Sequence, residues 1–304
     1  MYAANFDNPL VRAVAEARRP ASAWAVALAA AVFAAAVLLA ASRLAGAAAT
    51  WVAAALRQLP GAWPDIAGEA AVDLPLYGAL ILAAVVATWI EGRRLWPRGR
   101  RPLAAAAAGV LIGAAGFGAA VAIAGIAGVV HRGAYPPLSG PGGGILAGCL
   151  MVAFQSIAEE VYFRGWVQPV LCARWGPWFG LAATSVMFAA LHVVAGARAP
   201  LAVLNLVLGG LLFGLLALRT GGLWAPAAAH FAWNWTESGI LGLDPNPGVP
   251  ITGSVFDLDL AGPALWSGGA DTMNASLATT LILAGLVAAI MVSGPRPASR
   301  PLIA

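Results

Sequence analysis

Ser156-Ile-Ala-Glu-Glu-Val-Tyr-Phe-Arg164 sets two adjacent carboxylates and an arginine inside an otherwise apolar run from Ile145 to Leu171. A helix needs about 20 mostly apolar residues to cross a bilayer, and this run is long enough. Taking an ionisable side chain into hydrocarbon costs about 2.5 kcal/mol or more, so its charges must face a bundle interior or a wet cavity. Glu160 and Arg164, four residues apart, share one helix face and can pair; Glu159 is rotated by about 100° from Glu160. That rotation leaves Glu159 free to meet water and act as a base. The same residues can equally be read as a buried ion network without chemistry.

The rest of the chain has the same solvent. Its 304 residues are 61% hydrophobic and 10% charged, with a mean hydropathy of +0.83, which excludes an ordinary soluble domain and predicts an all-α polytopic membrane protein. The formal charge of +4 comes from arginines that fall in short clusters between apolar spans, as topology determinants do. No basic face with interleaved aromatics is visible, so nucleic acid is not an expected partner. All 17 cationic side chains are arginine, and Ala and Gly are abundant; this suggests a GC-rich bacterial genome and hence the bacterial cytoplasmic membrane. Cys149 and Cys172 lack metal-site or redox spacing and read as inert, helix-buried thiols.

A scan for spans predicts about eight transmembrane helices: Ala23 to Ser42, Leu74 to Ile90, Leu103 to Val130, Ile145 to Leu171, Trp178 to Val194, Pro200 to Leu218, Leu223 to Leu241 and Leu277 to Val292. Ala47 to Leu56, followed by Arg57 and Pro60, reads as an interfacial segment. With both termini cytoplasmic, only Arg43, Arg57, Arg132 and Arg198 fall on the outer side, the asymmetry that the positive-inside rule requires. The chain divides into an N-terminal membrane region with three spans (1–143), a four-span core (144–241), and an outer loop with the last span (242–304). The Gly- and Pro-rich loop from Gly242 to Ser276 is expected to be irregular and solvated, a partial lid. Gly116, Gly125 and Gly209-Gly210-x-x-x-Gly214 offer small surfaces for close helix packing.

Two of the three histidines lie inside spans. Phe188-Ala-Ala-Leu-His192 puts an aromatic ring one turn before an imidazole, and His230-Phe-Ala-Trp-Asn234 puts an imidazole and an amide on one face. Each pair alone reads as a satisfied core contact; together with Glu159 they supply an acid, two imidazoles and an amide from three spans that can converge. Helix rise places Glu159 about 13 Å into its span, His192 about 21 Å from the cytoplasmic end of its helix, and His230 about 10 Å from its own. His192 is the poorest fit to this depth, so its helix is expected to be displaced or broken.

Glu159-Glu160-x-x-x-Arg164, Phe188-x-x-x-His192 and His230-x-x-x-Asn234, in this order, resemble the three motifs of the CPBP intramembrane proteases, which include the CAAX prenyl endopeptidases and bacteriocin-processing relatives. The likeness runs from about Gly144 to Ile240 and takes in Leu218 to Pro226, the approach to the last motif. The resemblance implies a membrane-embedded endopeptidase acting on a membrane-associated or hydrophobic peptide. It assigns Glu159 as the water-activating base, with Glu160 as its supporting carboxylate held by Arg164. It makes His192 and His230 the groups that position or polarise water and substrate, and Asn234 an oxyanion donor.

The cofactor stays open at this stage. His-Glu-x-x-His is absent, yet two histidines and a carboxylate from separate helices could bind zinc with one open position. Direct general-base activation of water by Glu159 is the preferred alternative. Two rival functions use the same residues: a proton-coupled transporter, for which the inverted repeats or paired broken helices are not found, and a non-proteolytic immunity or scaffold protein using the pocket for binding alone.

Overall fold

The computed structural model describes residues 8–19, 21–93, 95, 99 and 101–293. Arg94, Arg98, Arg100, Arg296 and Arg300, which carry much of the cytoplasmic side of the arginine asymmetry, lie outside the described residues.

Hydrocarbon offers no partner for a backbone N–H or C=O, so a chain this apolar satisfies its backbone within helices. After a short α1 (Pro9–Ala15), the helices run α2 (Ala23–Ala55), α3 (Trp63–Glu91), α4 (Pro102–Ile126), α5 (Gly144–Glu160), α6 (Gln168–Trp175), α7 (Pro177–Ala195), α8 (Pro200–Thr220), α9 (Trp224–Trp235), a single turn α10 (Ala264–Ser267) and α11 (Leu277–Val292). A π-helical stretch, Val161–Val167, joins α5 to α6 without a break, and another, Thr236–Ile240, prolongs α9. The fold is an all-α, multi-pass membrane protein.

Six of these helical segments, Gly144–Trp175 counted as one, are long and apolar enough to cross a bilayer. α11 is apolar but has only 16 residues, and the last helix of the predicted core consists of 12 α-helical residues extended by five in the π-helix. Large apolar side chains such as Leu28, Leu82, Trp89, Leu103, Leu111 and Phe179 point outward and are exposed, the arrangement expected where lipid is the solvent.

The segment from Ala47 to Leu56 is not separate: α2 continues through it for 33 residues. At 1.5 Å per residue α2 is about 50 Å long, and a hydrocarbon core of about 30 Å is crossed near Arg43. Ala-rich sequence with high helix propensity carries the helix beyond that arginine. α3 packs back along α2, with Gly68 against the backbone of Ala49, so the two long helices support each other beyond the length that one crossing requires.

The core centres on α4, α8, α9 and α11, where Phe117, Leu212, Phe213, Leu215, Ala229 and Trp233 are buried together. α4 and α9 meet closely because Gly109 and Gly113 have no Cβ; one at Gly113 would strike the Ala229 carbonyl and the Trp233 amide. Gly210 likewise lies against the Cα of Ser185, whereas Gly125 faces open space and does not serve as a packing surface.

The outer loop is more ordered than its composition suggests. β1 (Val130–Arg132) pairs antiparallel with β2 (Leu258–Leu260), and Tyr135 N donates to buried Asp257 Oδ2 at 2.6 Å. Backbone amides of Val255, Phe256 and Leu258 donate to Gly239, Ile240 and Leu241 carbonyls. Unsatisfied polar backbone at the end of α9 thus finds partners in the loop and fixes it in place.

Candidate active site

Local chemistry explains the break in helix type next to the carboxylates. Pro169, in the first turn of α6, has no N–H to give the Gly165 carbonyl four residues earlier. The Arg93 guanidinium supplies the missing donors, to Gly165 O at 3.0 Å and Trp166 O at 3.2 Å, and is itself held by Glu91. Glu91 Oε1 also accepts from Trp166 Nε1 at 3.2 Å. Tyr162 Oη donates to Ala30 O at 2.6 Å, which anchors the π-helix to α2.

Upstream of that anchor, Glu160 Oε1 accepts from Arg164 Nη1 at 3.0 Å and lies 2.9 Å from His230 Nδ1. Arg164 Nη2 donates to the Gly210 carbonyl at 3.0 Å, reaching α8 where the glycine lets helices approach. The guanidinium is fully buried and has the rings of Phe163, Phe188 and Phe213 around it at 5.7, 4.9 and 5.7 Å. Aromatic faces and a carboxylate together stabilise a cation that has left water. Glu160 and Arg164 therefore form a dry ion pair that joins α5, the π-helix, α8 and α9.

Glu159 has a different environment. Its Oε1 accepts from Gln155 Nε2 at 3.3 Å, and its buried Oε2 has no hydrogen-bond partner. Gln155 in turn lines a cavity of about 540 Å³ between the outer halves of the helices, which His192, His230 and Asn234 also line. This cavity is the link between Glu159 and the other residues expected from sequence; Glu159 itself sits behind its wall.

The imidazoles are oriented by their Nδ1 atoms. His192 Nδ1 lies 2.9 Å from the Phe188 carbonyl, which can only accept, so this nitrogen carries the proton. His230 Nδ1 donates in the same way to Glu160. With Nδ1 engaged in this way, Nε2 is the ring nitrogen that each imidazole can turn to another partner. Phe188 touches both, with centroids 4.5 Å from His192 and 6.0 Å from His230, while Phe213 stacks on His230 at 4.6 Å. α7 runs unbroken to Ala195, contrary to the expected displacement or break at His192. The cavity extends towards the end of α7, so no distortion is needed to bring that imidazole to its wall.

A zinc ion does not fit these donors as they stand. Among the described residues no group of three His, Cys, Asp or Glu side chains could hold one, and Glu160 Oε1 is already shared between Arg164 and His230.

The sequence reading missed Glu237. It lies one turn past Asn234, is 4% exposed and lines the cavity; Thr272 Oγ1 and Asn274 Nδ2 donate to it at 3.2 and 2.7 Å. A carboxylate near the end of an apolar run was the available signal, the same one that marked Glu159. The thiols of Cys149 and Cys172 are unlinked, and neither lines the cavity.

Residues 141–236 match the family model for Rce1-like proteins, type II CAAX prenyl endopeptidases. The matched segment begins just before α5 and ends just after α9, so it contains every residue of the three motifs. No curated protein and no solved structure matches the chain.

Proposed function

We propose that the chain is a glutamate-dependent intramembrane endopeptidase of the CPBP type that cleaves a membrane-associated or hydrophobic peptide without a metal, a reading supported by the match of residues 141–236 to the Rce1-like family model. One observation carries this reading. Each of the two neighbouring carboxylates keeps a buried Oε2 without a partner, but Glu160 spends its Oε1 on Arg164 and His230, whereas Glu159 has only the neutral Gln155 amide, which lines the cavity.

In this scheme Glu159 takes a proton from a water molecule as the water oxygen attacks the scissile carbonyl carbon. Asn234 donates from its amide to the oxygen that gains negative charge. His192 and His230 accept hydrogen bonds at Nε2 and hold water and substrate in line. When the C–N bond breaks, the proton on Glu159 passes to the leaving nitrogen, giving a carboxylic acid and an amine, which become carboxylate and ammonium once the acid proton moves to the amine. Glu160 and Arg164 act through position: they fix the His230 ring and the end of α5.

The reading is tested by incubating the full-length protein in liposomes with a library of hydrophobic peptides in ¹⁸O-labelled water. The expected products carry the label in the new C-terminal carboxylate. Absence of any cleaved peptide, with binding retained, would favour the non-proteolytic alternative.

A further inference from the structure

The cavity wall has a charge pattern that hydrolysis alone does not require. Five carboxylates line it: Glu69 and Asp73 from α3, Glu237 beyond α9, and Asp244 and Asp271 from the outer loop. No arginine is among the described residues that line it. Arg198, near the rim, spends its Nη1 on the carbonyls of Val193 and Ala197.

Glu237 makes this more than a solvated acidic rim. It is nine-tenths buried, and its two recorded donors, Thr272 and Asn274, are both neutral. A carboxylate removed from water without a cation is disfavoured, and a cavity bounded by one sign of charge concentrates ligands of the other. The acids come from different elements, Glu69 and Asp73 from α3, Glu237 from the turn after α9, and Asp244 and Asp271 from the outer loop, so a ligand in the cavity meets carboxylates from more than one element. The unpartnered Oε2 of Glu159, linked to the same cavity through Gln155, adds to the field.

We infer that the cavity selects peptides with a cationic side chain near the bond to be cleaved, and that Glu237 and Asp73 are the residues that recognise it. The inference rests on the hydrolase reading for the fate of the peptide, but its binding step stands apart from turnover. The lysine or arginine of such a substrate would sit among the carboxylates of α3, the turn after α9 and the outer loop.

The test separates the two claims by measuring binding in a protein that does not turn over. Full-length Glu159→Gln protein in phosphatidylcholine nanodiscs, which carry no net lipid charge, is titrated with a fluorescein-labelled apolar peptide containing two lysines and with its norleucine counterpart. The lysine peptide is expected to bind about tenfold more tightly at low salt, with the difference shrinking as salt rises. Adding Glu237→Gln, which can keep an acceptor for Asn274, is expected to reduce the preference to about threefold or less. Asp73→Asn on the opposite wall should act in the same direction, while Asp65→Asn, on α3 outside the cavity, should leave it unchanged. Equal affinity for the two peptides overturns the inference, as does a preference that survives both Glu237→Gln and Asp73→Asn. No cleavage of the lysine peptide by the wild-type protein, with the binding preference intact, would overturn the protease reading and leave this one standing.

Discussion

The two ends of the cavity solve opposite problems with the same kinds of side chain. At its inner end, Glu160 and Arg164 are packed dry among phenylalanines, and Glu160 Oε1 serves both Arg164 and the cavity-lining His230. At its outer end, His192, Asn234 and Glu237 line open volume, and the partners of His192 and Glu237 are neutral groups. Burial with a partner makes charge part of the scaffold; burial beside a cavity keeps it available for chemistry. Glu159 and Glu160, adjacent in sequence, fall on the two sides of that division.

The sharpest way to break the comparison is at its dry end. Arg164→Ala leaves Glu160 buried without its cation and should cost about 3–5 kcal/mol of stability, seen as a large fall in thermal unfolding temperature in detergent together with loss of turnover. A variant that unfolds like the wild type would show that the pair is not structural. At the open end, Asn234→Ala should lower kcat by about 10²–10³ with little change in unfolding temperature; equal losses in stability and rate would put Asn234 in the scaffold instead.

Packing gives the next effect. Gly113→Ala pushes a methyl group into the Ala229 carbonyl and should cost about 1–3 kcal/mol, whereas Gly125→Ala, with nothing nearby, should be neutral by the same unfolding measurement. The smallest expected effect belongs to chelation. EDTA treatment should leave turnover unchanged, and metal analysis of the purified protein should find no stoichiometric zinc; a chelator-sensitive rate would move the site to metal chemistry.

Much of the core could be read directly from residues. The motif positions on α5, α7 and α9 follow from apolar runs with isolated polar groups, and α11 begins and ends where hydropathy placed it. The π-helices were not legible because a window of hydropathy does not register a missing N–H; Pro169 was the cue, and Arg93, 72 residues before Gly165, was the partner that made the change of register tolerable. The length of α2 was hidden by Arg43, which interrupts the apolar run without ending the helix. The fixed outer loop could not be inferred from Pro and Gly content, since its order comes from backbone bonds to the Thr236–Ile240 turn. Glu237 was obscured for the same reason: its Asn274 and Thr272 partners belong to that loop.

The central claim is that Glu159, and not its neighbour, is the base. Its direct test is the turnover of Glu159→Gln protein on a cleavable peptide, measured with the unfolding temperature of the same preparation. A fall in kcat of about 10²–10⁴ with an unfolding temperature close to that of the wild type is the expected result. Wild-type turnover by Glu159→Gln protein would contradict it.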